Sequence, residues 1–166
     1  MREPIDVRLA RQDDAEAIRA IYNPAVTATT VTFDLVPRTL AEQQQWIAEH
    51  SGAHPAVVAT GPSGQVVGFA SLSPYRPRPA YATTVEDSVY VHPDQHRQGV
   101  GRALLEDLLR LGTLHGFHAV MGRIVDGHEA SIALHQACGF RVVGVEKEVG
   151  RKFGRWLDVV LMQKLL

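Results

Sequence analysis

The stretch His96-Arg97-Gln98-Gly99-Val100-Gly101-Arg102 puts two glycines directly before a long amphipathic run. At a helix N-terminus the unpaired backbone N–H groups can hold a phosphate, and glycines remove the Cβ atoms that would bar it. Arg97 and Arg102 flank the glycines and can add charge-assisted contacts. Taken alone, the same glycines serve a tight turn equally well. A Walker A loop would need Gly-Lys-Ser/Thr where this chain has Gly101-Arg102-Ala103. A Rossmann fingerprint would need a third glycine where Leu104 stands. Any cradle here is of another kind.

Other chemistry-bearing residues are fewer. Glu86 and Asp87 are neighbours on an extended run, and strand alternation sends them to opposite faces, so only one is expected to face a cleft. His135 and Cys138 are three apart and can share a helix face, a spacing open to acyl transfer through a covalent acyl-enzyme. Cys138, directly before Gly139-Phe140, reads better as a small buried residue at a helix end. His92 and His96 are four apart in a proline-containing loop, and no Glu completes His-Glu-x-x-His, so no metal is expected. Trp46 and Trp156 lack interleaved basic residues and read as core or interface rather than as a nucleic-acid platform.

The elements that must position these residues follow from periodicity and punctuation. "IDVRLA" alternates as a first strand, and "RQDDAEAIRAIYNPAV" has the acidic first turn and apolar spacing of a helix that Pro24 is expected to kink or end. "TTVTFDLVP" is β-rich, and Thr39 with Glu42 forms a reciprocal cap for a helix "LAEQQQWIAEH". Strands "AVVAT" and "QVVGFASLSPY" follow, then a "RPRP" loop that cannot supply ladder donors. "TTVEDSVYVHP" is a strand, "GVGRALLEDLLRLGTLHG" a helix, "HAVMGRIV" a strand, "HEASIALHQACG" a helix ending at Gly139, and two strands close the chain. The order β-α-α-β-β-β-α-β-α-β-β gives an α/β sandwich: about seven mostly antiparallel strands, four helices and one central βαβ unit. No linker divides residues 1–166, so one domain is expected.

The chain's 45% hydrophobic and 21% charged residues are ordinary for a globular protein, and a net charge of −1 gives no basic field for nucleic acid or an anionic membrane. One cysteine allows no internal disulfide and fits a reducing compartment. The start "MREPIDVRLA" lacks the apolar core of a signal peptide, and no apolar run approaches the roughly 18 residues that span a bilayer, so a cytoplasmic protein is expected.

"SVYVHPDQHRQGVGRALL" followed by "ASIALHQACGF" resembles the GCN5-related N-acetyltransferases. "TVEDSVYV" and the late "GRKFGRWLDVVLMQ" are similar to the branch of phosphinothricin and methionine sulfoximine acetyltransferases. The resemblance runs from "AIYNPAV" to the last strand. It implies acetyl-CoA as co-substrate, a homodimer, and transfer to the amine of a small amino acid or analogue of the phosphinothricin, methionine sulfoximine or methionine sulfone type.

The resemblance also assigns residues. The pyrophosphate belongs on the loop His96, Arg97, Gln98, Gly99, Val100, Gly101 and Arg102, with His96 where the family usually has Gln or Arg. The pantetheine arm belongs on the backbone of Val89, Tyr90 and Val91, one of whose N–H groups would face the thioester carbonyl. His128 stands where many members carry Asn. Glu86 is implied as general base and His135 as the acid for the leaving thiolate. Phe33, Arg76, Pro77, Arg78 and Lys152 are implied around the acceptor, with an arginine clamping its carboxylate. Two rivals share the cradle: an acyl-CoA sensor, which needs no base, and a protein N-terminal or lysine acetyltransferase, which needs an open groove.

Overall fold

The computed structural model describes residues 5–166. Seven strands form one sheet: β1 (Asp6–Leu9), β2 (Ala56–Thr60), β3 (Val66–Pro74), β4 (Thr84–Val91), β5 (Ala119–Val125), β6 (Arg141–Lys152) and β7 (Arg155–Leu165). Four helices join them: α1 (Ala15–Ala28), α2 (Leu40–Glu49), α3 (Val100–Leu114) and α4 (Glu129–Ala137). The spatial order is β1-β2-β3-β4-β5-β7-β6, and the β4–β5 pair alone is parallel. The expected order of elements and the βαβ unit β4-α3-β5 are both present.

The sheet is covered on both faces, which is why "AVVAT" is a continuous buried run. Val57 and Ala59 meet the α3 side, with Leu104, Leu105 and Leu108; Val58 meets the α1 side, with Ile18, Ile21, Tyr22 and Val26. Thr39 caps α2 as expected: its N–H donates to Glu42 Oε2 at 2.7 Å, and its Oγ1 accepts from the Glu42 N–H at 3.2 Å.

Of the two outcomes expected at Pro24, a kink or an end, the helix does not end there. Helix α1 continues through Pro24 to Ala28, because one more turn buries Val26 against Ile18 and Tyr22, offsetting the hydrogen bond that proline removes. The β-rich "TTVTFDLVP" forms no strand, in keeping with the expected order of elements. Its threonines bond locally instead: Thr29 Oγ1 donates to the Ala25 carbonyl and accepts from the Val31 N–H, and Thr32 Oγ1 accepts from the Asp34 N–H. These bonds compete with a ladder.

The relationship that matters most for a site is the end of one ladder. Residues 84–86 of β4 pair with 119–121 of β5, and there the pairing stops. Strand β4 goes on along β3 to Val91 while β5 goes on along β7 to Val125. A fork opens between them.

Candidate active site

The fork is the floor of a cavity of about 660 Å³, within the range of small-ligand sites. Its walls are β4 from Glu86 to Val91, β5 from Arg123 to Val125, the α1 residues Tyr22 and Ala25, then Thr29, Val31, Thr32 and Phe33, and His128 with Ser131 and His135 of α4. Helix α1 and helix α4 lie on opposite faces of the sheet, so the cavity passes through the fork. This corrects one expectation. Glu86 and Asp87 do alternate, yet both line the cavity, because the cavity reaches both faces.

Glu86 is partly buried on the α1 side. Burial pushes its carboxyl above the usual carboxylate range, the Arg123 guanidinium opposes that rise, and the charge of Asp87 adds to it. Val89, Tyr90 and Val91 present to the cavity the β4 edge that β5 has left, a row of backbone donors and acceptors suited to an amide-bearing ligand.

The glycine loop leads from this edge into α3. Gly99 has φ +89°, the left-handed conformation that glycine adopts freely, and its carbonyl accepts the first helical bond from Ala103 at 3.0 Å. The N–H groups ahead of Ala103 have no helical carbonyl to reach and are available to an anion. Gly101 has a second use: a Cβ there would stand 3.1 Å from Leu134, so its absence lets α4 approach α3. Val100 is buried in the core. His96 is on the cavity wall, its Nε2 3.1 Å from the Val91 carbonyl. Gln98 donates to the Asp94 carbonyl at 3.1 Å, and Arg102 to Glu106 at 2.7 Å. Arg97, at φ +61°, lies off the wall.

Across the cavity, His128 precedes α4, and burial with the nearby charge of His96 pushes its imidazole below the usual range. His135 is buried, about two turns along α4. Its Nδ1 stands 2.7 Å from the Ser131 carbonyl and its Nε2 2.8 Å from Asp87 Oδ2. Cys138 is buried at the end of α4, and burial pushes its thiol up, away from nucleophilic duty.

At the acceptor end, Phe33 lines the cavity, and Lys152 is buried off its wall. The Lys152 amine is buried and donates to the Thr32 carbonyl at 2.8 Å. A Cβ at Gly150 would come within 2.3 Å of the Phe33 ring, so the start of the β6–β7 hairpin bears directly on that ring. Arg76, Pro77 and Arg78 occupy an exposed loop off the wall. Arg76 lies 5.0 Å from the Tyr75 ring centre, and its charge reaches Glu86 more weakly than that of Arg123. Sequence reasoning missed Arg123, although a lone cation inside the apolar run "AVMGRIV" was a signal for it.

The chain as a whole has known counterparts. Residues 7–161 match the family model described as an acetyltransferase (GNAT) domain. The chain belongs to the GNAT family. It is 41% identical over 158 residues to the L-methionine sulfoximine/L-methionine sulfone acetyltransferase of Pseudomonas paraeruginosa, covering 95% of this chain and 92% of that one. It is 43% identical over 161 residues to the phosphinothricin N-acetyltransferase of Alcaligenes faecalis, covering 96% and 82%. The structure of a GNAT superfamily phosphinothricin acetyltransferase from Sinorhizobium meliloti in complex with AcCoA superposes at TM-score 0.94 with 38% identity, covering 99% and 89%. A ribosomal-protein-alanine N-acetyltransferase from Brucella melitensis superposes at TM-score 0.94 with 40% identity, covering 97% and 99%. The GNAT chain described here is thus an N-acetyltransferase with the fold of its relatives. Among its described residues no group of three or more His, Cys, Asp and Glu is placed to hold a metal, and no helix is long and apolar enough to cross a membrane.

Proposed function

We propose that this GNAT chain transfers an acetyl group from acetyl-CoA to the amine of a small amino acid or analogue, of the methionine sulfone, methionine sulfoximine or phosphinothricin type. The observation that carries this reading is a partly buried Glu86 on the wall of a cavity whose floor is the freed edge of β4. Acetyl-CoA supplies the acetyl group as a thioester. The residues fit it: the N–H groups after Gly99 receive the pyrophosphate, and the backbone of Val89 to Val91 receives the pantetheine amides and donates to the thioester carbonyl. His96 and His128 flank the same slot. Glu86 takes a proton from the amine, which is largely ammonium at neutral pH and cannot attack until it loses one. His135 is the proton source assigned to the leaving thiolate. Phe33 bounds the acceptor, with Lys152 off its wall and Arg76 to Arg78 at its entrance.

We further propose a cytoplasmic homodimer. Val142, Val143, Val145 and Val149 on edge strand β6 and Trp156 on β7 are exposed, an apolar edge that a second copy would cover.

The test is release of free thiol from acetyl-CoA with methionine sulfone, methionine sulfoximine, phosphinothricin, ordinary amino acids, a polyamine and an alanine-first peptide. Turnover of the free amino acids, lost in Glu86→Gln, is expected. Turnover of the peptide alone would replace this reading with a protein acetyltransferase. Acetyl-CoA binding without turnover of any amine would replace it with a sensor.

A further inference from the structure

An amino-acid acceptor brings a carboxylate next to its amine, and the cavity wall holds one arginine placed to meet it. Arg123 is the only Lys or Arg on that wall among the described residues. It is the one exposed position in β5, whose other six residues are buried. Register fixes where it points. Met121 pairs with Glu86, and Arg123, two residues on, shares the face of Met121, so Arg123 and Glu86 stand on the same side of the sheet. In keeping with this, Arg123 is the foremost opposing charge acting on Glu86.

Its Nη1 stands 2.7 Å from Glu146 Oε1, and the pair reaches across β7, because β5 and β6 are not neighbours. The two side chains keep 29% and 32% of their exposure, and Arg123 itself lines the cavity, so its guanidinium is not sealed by the pair. A guanidinium carries five N–H donors in a rigid fork, so one carboxylate leaves donors for another.

We propose that Arg123 is the specificity-determining residue that receives the acceptor's carboxylate, with Glu146 as the counter-charge beside its guanidinium, while the amine faces Glu86. The proposal rests on the small-amino-acid reading above. It places carboxylate recognition on β5, inside the cavity, rather than on the exposed loop of Arg76.

The test compares methionine sulfone with its carboxamide, which keeps the amine and loses the negative charge, on wild type, Arg123→Gln, Arg123→Lys and Arg76→Gln. Wild type should favour the acid. Arg123→Gln should cut kcat/KM for the acid by roughly 10- to 100-fold, the worth of a charged hydrogen bond, and leave the carboxamide almost unchanged. Arg123→Lys should recover part of the preference. Equal loss on both compounds in Arg123→Gln would overturn the assignment, as would loss of the preference in Arg76→Gln alone. A wild type that turns over both compounds equally well would also overturn it, leaving the acetyltransferase reading intact. A wild type that turns over neither would overturn both.

Discussion

His135 Nε2 lies 2.8 Å from Asp87 Oδ2, both side chains are buried, and the pair stands where β4 and β5 part. The ring is seated against Gly122, where a Cβ would come within 3.1 Å of its Cδ2 and 3.2 Å of Asp87 Oδ1. His135 therefore fills the crotch of the fork, and a Cβ at 122 would crowd it. Both of its nitrogens face atoms that can only accept, the Ser131 carbonyl and a carboxylate, so the ring is held as an imidazolium.

The pair makes stability depend on pH with a definite sign. Burial lowers the His135 pKa, but the Asp87 hydrogen bond and charge outweigh it and raise the value. A raised folded pKa gives stabilisation that is complete below the unfolded value of about 6.5 and is lost as pH rises through the folded pKa. Urea denaturation of wild type and His135→Gln from pH 5.5 to 9 should show the largest gap at the acid end, on the order of 3 kcal/mol, narrowing toward the alkaline end. A gap independent of pH would mean the ring is neutral.

Glu86 must be ionised to take a proton, and its pKa is raised chiefly by burial. The acid limb of kcat/KM should therefore lie above the ordinary glutamate value of about 4.3. Glu86→Gln should lower kcat/KM by about 10²- to 10⁴-fold while acetyl-CoA affinity, read by calorimetry, stays near wild type.

Gly99→Ala tests the loop separately from the chemistry. An alanine at φ +89° carries a cost of about 1–2 kcal/mol that the loop can relieve only by shifting its N–H groups. The acetyl-CoA Kd should rise by roughly 5- to 30-fold, with the KM for the amine little changed.

The hairpin contact gives the opposite pattern. Gly150→Ala would drive a Cβ into the Phe33 ring, which lines the acceptor end of the cavity. The amine KM should rise several-fold with the acetyl-CoA KM unaffected, and a change confined to acetyl-CoA would show that Phe33 does not bound the acceptor.

Much of this was legible beforehand. Periodicity placed α3 and the βαβ unit, Thr39 and Glu42 announced the cap of α2, and glycine chemistry marked the loop at Gly99, because all of these are decided by residues within a few positions of one another. Pro24 did not end α1, since its local propensity lost to packing.

By itself the sequence determined the order of elements, the glycine-opened helix and which residue types were at hand. The tertiary structure alone decided that the β4–β5 ladder ends at Glu86, which lets one cavity cross the sheet and admits Asp87 from the face that alternation had ruled out. It alone joined His135 to a carboxylate 48 positions away and Arg123 to Glu146 across an intervening strand. Such pairs are fixed by register and by how helices seat on a sheet, and spacing along the chain carries neither.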